Sequence, residues 1–243
     1  MKPFLLLSTR PEDAAAHGEH AAVASFSGLY PAQLEQIRVE AGPLPSINLD
    51  HYSAVILGGG PLNASDHDKS AVQLRVEADL QQMLAAVFDR GMGFMGLCYG
   101  VGTVTSLFGG VVDRTYGEAV GAVPVRLTEA GRVDPLLVDV PDEFRAYVGH
   151  KEACTVMPAD AILLATGTAC PVQMFRVREH GYVTQFHPEL DAAGIVNRIQ
   201  IYKHAGYFAP EETDELVQRV RRAGVSPEVH SILRRFAARY ATH

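Results

Sequence analysis

The stretch Gly96-Leu97-Cys98-Tyr99-Gly100 places a nucleophilic side chain between two glycines. It is the cysteine form of G-x-S-x-G, in which a strand turns abruptly into a helix and leaves the central side chain exposed. The glycines are needed because side chains two positions either side of the turn would collide. The helix N-terminus that follows offers a positive dipole end and unpaired N–H groups, which favour a thiolate and then an oxyanion. Apolar Gly93-Phe94-Met95 before the cysteine and Val101 to Leu107 after it suit the strand and the helix.

Two other segments complete a chemistry. Gln185-Phe186-His187-Pro188-Glu189 follows an apolar strand. A cysteine nucleophile needs a base and then an acid for the leaving group, and an imidazole serves as both near neutral pH. A carboxylate at Glu189 can orient the ring of His187 and stabilise its imidazolium form. Gly58-Gly59-Gly60-Pro61 reads as a tight turn after another strand. At the C-terminal edge of a parallel sheet, where sites gather, N–H groups of Gly59 or Gly60 with that of Tyr99 would form an oxyanion hole.

The elements that must hold these residues are legible in outline. Phe4 to Leu7 and Ala54 to Leu57 are continuous apolar runs, as in strands buried on both faces. Gln36 to Glu40 alternates and reads as a further strand. Val72, Val76, Leu80, Met83, Leu84, Val87 and Phe88 recur at helical spacing, with Gly91 as the stop. Strand and helix in alternation imply a parallel sheet covered on both faces. From Val111 to Thr184 the pattern changes to short strands: Val123 to Leu127, Ala161 to Ala165, Val172 to Arg176 and Tyr182 to Phe186. After Glu189 the chain reads as helical, with Ser226 as N-cap of a last helix, Pro227 at its first position, and a stripe of Val229, Ile232, Leu233, Phe236 and Tyr240.

Composition narrows the class. The chain has 243 residues, 47% apolar and 20% charged, as in an ordinary globular protein. A net charge of −7 without a basic run argues against nucleic acid and anionic membrane as partners. Arg219, Arg221, Arg222, Arg234, Arg235 and Arg239 read as solvated helix faces. Cys98, Cys154 and Cys170 are odd in number and form no C-x-x-C pair, so neither a disulfide framework nor a cysteine zinc site is expected. A reducing, cytoplasmic compartment fits. The apolar run after Lys2 is cut off by Ser8-Thr9-Arg10 and is too short for a secretory signal.

The glycine turn, the cysteine elbow and the His-Pro-Glu segment, in this order, resemble the class I glutamine amidotransferase family. The likeness looks greatest to the amidotransferase domain of GMP synthase and its free-standing relatives. Gly149-His150-Lys151-Glu152 and Val172-Gln173-Met174-Phe175-Arg176 resemble further family segments. The resemblance covers about residues 1–195 and implies an α/β domain with a doubly wound, mostly parallel sheet, a small antiparallel patch, and a helical extension over 196–243 packed on the same domain. It implies that the Cys98 thiolate attacks the side-chain amide of glutamine, that His187 protonates the departing ammonia, and that water releases glutamate from a γ-glutamyl thioester. Glu189 would orient His187, with Gly59, Gly60 and Tyr99 at the oxyanion and Gly102 and His150 near the substrate. No cofactor or metal is implied.

Two departures stand out. The family continues after Cys-x-Gly with His-Gln, and that glutamine helps hold the substrate, whereas this chain has Val101 and Gly102. Free glutamine is then bound weakly, or another γ-glutamyl amide is the substrate, or other backbone groups suffice. The segment after Glu189 is also too short for an ATP-using synthetase domain, and no phosphate-binding glycine loop occurs. Ammonia would pass to a separate synthase chain or be an end product. The helical tail is expected to pack on the domain or to form a dimer or partner surface. A γ-glutamyl-amine hydrolase and a non-catalytic regulatory subunit are the rival readings.

Overall fold

The apolar run at the start of the chain becomes the strand around which the sheet is built. The computed structural model describes residues 1–242. β1 (Phe4–Ser8) lies between β2 (Leu34–Arg38) and β3 (Ala54–Leu57), and β3 lies beside β4 (Gly93–Leu97), all parallel. β11 (Gly181–Thr184) pairs in parallel with the far side of β4. Antiparallel β10 (Met174–Val177), β9 (Ile162–Gly167), β6 (Glu118–Leu127) and β7 (Glu143–His150) then extend the same sheet to nine strands. A separate antiparallel pair joins β5 (Val111–Asp113) to β8 (Ala153–Val156).

Alternation along the strands divides the interior into two layers. Phe4 and Leu6 of β1 face one side, with Val23 and Ala24 of helix α1 (Asp13–Ser27) and Val229, Ile232, Leu233 and Phe236 near the C-terminus. Leu5 and Leu7 face the other, with Val76, Leu80, Leu84 and Val87 of α2 (Ala71–Asp89) and Val104 of α3 (Tyr99–Leu107). After the one-turn α4 (Glu129–Arg132), helices α5 (Ala192–Ile201) and α6 (Thr213–Arg222) enclose a smaller cluster with Tyr147 of β7. α7 (Ser231–Tyr240) is the last helix among the described residues and lies on α1. Residue 196, where the helical extension is expected to begin, falls inside α5.

Several sequence expectations shift in detail. The second strand is Leu34–Arg38 rather than Gln36 to Glu40, because parallel pairing with Phe4–Ser8 sets its register. α1 escapes a periodicity reading because its buried face is mainly alanine, with Glu19 among the buried residues. Ser226 does not cap a helix: its hydroxyl accepts the Arg145 N–H, and Pro227–His230 form a 3-10 turn before α7. Among the described residues, no helix is long and apolar enough to cross a membrane.

Candidate active site

Four parallel strands end on one edge of the sheet, and each delivers part of a site there. β1 leads to Thr9 and Arg10, β3 to Gly58-Gly59-Gly60, β4 to Cys98 and β11 to Gln185-Phe186-His187. Cys98 occupies the sharp turn between β4 and α3 with φ 51° and ψ −85°, a conformation that non-glycine residues adopt only when the surroundings enforce it. Its N–H donates to the Thr184 carbonyl of β11, 2.7 Å away. Gly96 must be glycine, since an added Cβ would lie 3.0 Å from the Gly100 Cα and from Val183 Cγ1.

His187 sits where Gly59 touches the cysteine. A Cβ on Gly59 would lie 3.2 Å from His187 Cε1, 3.5 Å from Cys98 Cβ and 3.0 Å from Arg10 Nη2. The His187 Nδ1–H donates to Glu189 Oε1 at 2.7 Å. The segment is braced on both sides: His187 N–H donates to the Tyr147 carbonyl, and the His230 Nδ1–H donates to the Pro188 carbonyl. His230 in turn stacks on Phe26, with ring centroids 3.9 Å apart. The structure thus brings together the cysteine, the histidine, the carboxylate and the glycine turn that the sequence nominated.

Charges beneath the site were not foreseen. Arg198 of α5 places Nη1 3.0 Å from Glu189 Oε1. That atom also lies 3.1 Å from His187 Nδ1, but both are donors, so the shared acceptor is the carboxylate. Arg10, only 4% exposed, donates from Nε to Glu19 Oε1 and from Nη1 to the Tyr202 hydroxyl. Ser8 donates to the other Glu19 oxygen. Side chains on the glycine turn would break this packing: a Cβ on Gly58 would collide with the Glu19 carboxylate, and one on Gly60 with Thr9 Oγ1. The only sequence signal for Arg10 was its place just past a strand that ends on the functional edge.

These surroundings set the protonation states. Burial pushes the Cys98 thiol up to about 12, against the pull of Arg10 and Arg198. Burial also lowers His187 below its ordinary value, outweighing the Glu189 carboxylate that supports its charged form. Burial alone would raise Glu189, yet His187 and Arg198 together hold it well below the usual carboxylate range. The resting site is therefore a neutral thiol, a neutral imidazole and an ionised carboxylate.

Two lobes of a cavity meet at Cys98. One is polar, with Asn63, Lys151, Glu152 and Gln185 on its walls. The other contains His187 and is walled largely by Val120, Val148, Leu190, Ile195, Ile199 and Phe208. Gly60, Cys98, Gly149 and Tyr207 line both. Gln185 Nε2 lies 3.8 Å from the Cys98 sulfur, a long contact. Tyr99 is the first residue of α3, so its N–H has no partner within that helix.

Gly102 does not line either lobe. A Cβ there would lie 2.7 Å from Glu152 Oε1, so the glycine leaves room for a carboxylate. Glu152 accepts the N–H groups of Ala64 and Ser65 at 2.8 and 2.7 Å. His150 borders the polar lobe, but its ring is engaged, with Nδ1 on the Glu152 carbonyl and Nε2 3.0 Å from Glu118 Oε2. Glu118, His150 and Cys170 bring one ligand-type atom each within 4.8 Å of one another. All three are already tied by hydrogen bonds, with Gln173 Nε2 on Glu118 and the Cys170 thiol on the Val172 carbonyl.

The chain matches the family model Glutamine amidotransferase class-I over residues 24–194. The GMP synthase [glutamine-hydrolyzing] of Streptomyces avermitilis is 28% identical over 174 residues, covering 69% of this chain and 31% of that protein. The enzyme of the same name from Neisseria meningitidis serogroup C is 25% identical over 195 residues, covering 77% and 35%. The chain thus spans about a third of the length of these curated relatives. Among solved structures, a glutamine amidotransferase from Thermotoga maritima superposes with a TM-score of 0.78 at 20% identity, covering 99% of this chain and 98% of that one. One from Methylobacillus flagellatus gives 0.73 at 16% identity, covering 100% and 97%. At these identities the likeness shows the fold.

Proposed function

This chain belongs to the class I glutamine amidotransferase family, and from that footing we propose that it cleaves a γ-glutamyl amide with Cys98 as nucleophile, His187 as acid and base, and Glu189 as the group that orients the imidazole. His187 Nδ1–H is held by Glu189, which leaves Nε2 as the free basic nitrogen. Nε2 takes the thiol proton as sulfur attacks the amide carbon. The oxyanion is held by N–H groups of Gly59 or Gly60 and of Tyr99. Collapse breaks the C–N bond, and Nε2 returns the proton to the departing amine or ammonia. Water, deprotonated by the same nitrogen, then releases glutamate from the thioester.

The observation that carries this reading is the meeting of His187 and Cys98 at Gly59, with the ring already bonded to Glu189. The polar lobe suits the amino-acid end of the substrate. Lys151 can meet an α-carboxylate and Glu152 an α-ammonium group, which gives Glu152 the substrate role expected near Gly102. Gly102 then acts by making room, and His150 by holding the backbone of Glu152 in place. Residues 196–242 complete the buried core beside β1 and supply Arg198 and His230 to the site. Where glutamine is the substrate, ammonia passes to a separate synthase chain, in keeping with the synthase names of the curated relatives.

The test is covalent labelling with a glutamine-like electrophile. One γ-glutamyl adduct on Cys98 is expected, at least about a hundredfold slower in His187→Ala, with no turnover in a folded Cys98→Ser protein. Labelling of Cys154 or Cys170 instead, or near-normal turnover by Cys98→Ser, would overturn the assignment.

A further inference from the structure

The two lobes that meet at Cys98 differ in chemistry, and the difference bears on the leaving group. An amide carbon attacked by Cys98 must sit between them, with the glutamyl head on one side and the nitrogen substituent on the other. His187 is in the second lobe and not in the polar one. The group that protonates the leaving nitrogen must lie on the nitrogen's side. The glutamyl head therefore takes the polar lobe, and whatever the nitrogen carries enters the lobe walled by Val120, Val148, Leu190, Ile195, Ile199 and Phe208.

That lobe is larger and less polar than release of ammonia requires. Its cavity volume is about 60 Å³, room for several water-sized groups where one needs roughly 10–15 Å³. Arg10 and Arg198 also line it, with most of their nitrogens engaged: Arg198 Nη1 on Glu189, and Arg10 Nε and Nη1 on Glu19 and Tyr202, while Arg198 Nη2 has no hydrogen-bond partner. The remaining Arg10 nitrogen, Nη2, lies against Gly59 and so faces the reaction centre rather than the apolar walls. We infer that the substrate is an N-substituted γ-glutamyl amide whose nitrogen carries an apolar alkyl or aryl group, and that the product besides glutamate is an apolar primary amine. The inference rests on the hydrolase reading above. The bond changes are the same: C–N breaks, the amine leaves with the proton from His187, and water opens the thioester.

The experiment compares kcat/KM for glutamine, γ-glutamyl-ethanolamide and γ-glutamyl-n-butylamide on the full chain, alongside electrophile labelling of Cys98. The butylamide is expected to exceed glutamine by at least about tenfold, since one methylene in an apolar pocket is worth about tenfold or more. The ethanolamide, with a polar end in the same place, should fall between them or below. Val120→Phe, which narrows the lobe, and Phe208→Ala, which removes part of its wall on a half-buried side chain, should each lower the butylamide-to-glutamine ratio. A labelled Cys98 with glutamine cleaved as well as or better than the butylamide would sink the inference, leave the hydrolase assignment standing, and mark the lobe as an exit for ammonia. Absence of both labelling and cleavage would sink the hydrolase reading and this inference with it.

Discussion

Gly102 and Glu152 compete for one space: a Cβ on the glycine would stand 2.7 Å from the carboxylate oxygen that accepts the Ala64 N–H. Ala64 Cβ, 3.1 Å from the same point, closes the other side. Gly102, in the first turn of α3, is therefore matched to an acidic residue just past the end of β7.

Gly102→Ala forces Glu152 off at least one of its two backbone donors. Hydrogen bonds to a charged group contribute about 1.5–3 kcal/mol each, so a loss of about 2 kcal/mol is expected. For a domain of this size that lowers Tm by about 4–8 °C. KM should rise while kcat changes little, because Glu152 is proposed to meet the amino-acid end of the substrate. Calorimetry with steady-state kinetics checks both, and an unchanged Tm would show that the carboxylate relocates freely.

The pH dependence follows from a neutral thiol–imidazole pair. The proposed mechanism needs His187 unprotonated, and burial holds it below its ordinary value of 6.5. In kcat, where the substrate's α-ammonium is already bound, the rate should therefore rise with pH through an acid limb centred below 6.5 and then stay level through pH 9, because burial raises the thiol well above that. A preformed thiolate–imidazolium pair would instead lose activity as the histidine deprotonates, so a fall in kcat between neutral pH and pH 9 would contradict this arrangement.

Stability should fall in acid in two stages. His187 binds its proton more weakly folded than unfolded, so its contribution is complete above 6.5 and declines as pH falls from there through the lowered folded value. Glu189 has the same sign, its contribution being present above 4.5 and lost as pH falls further. Denaturant melts from pH 8 to pH 3 should show both stages, and Glu189→Gln should flatten the lower one.

Arg198→Met removes a buried cation from Glu189. Breaking a buried pair costs about 3–5 kcal/mol. Arg198 also opposes the charged form of His187, so the acid limb of kcat/KM should move to higher pH in this variant. A merely structural role would lower stability and leave that limb in place.

Phe236→Ala tests the tail. The ring is fully buried and meets Phe4 edge-on at 6.3 Å, so a loss of about 3–5 kcal/mol is expected in chemical denaturation. A loss under about 1 kcal/mol would mean that α7 contributes little to the shared core.

The proposed triad was legible because its parts are local. Cys98 carries its two glycines with it, and Glu189 lies two positions from the histidine it holds. The parallel strands were legible as uninterrupted apolar runs. Arg10, Glu19 and Arg198 were not, because each is a single charged residue in a different segment and only the fold shows that they share one buried space. Glu19 was hidden further by the alanines around it, which weaken any stripe. Glu152 stood in a recognised segment, but its relation to Gly102 depends on packing between α3 and the end of β7. The strand β7 itself was missed because charged Glu143 and Arg145 interrupt its apolar positions.

The register that sets Leu97 beside Thr184 also fixes when chemistry can begin. Neighbouring parallel strands so distant along the chain come together only after a long loop has closed, a slow kind of contact to form. While the polypeptide is being synthesised, Cys98 emerges long before His187, its proposed base, and remains an ordinary thiol until that histidine arrives. The proposed activity is thus coupled to completion of the sheet, and any opening of the seam between β4 and β11 would abolish it before the rest of the molecule came apart.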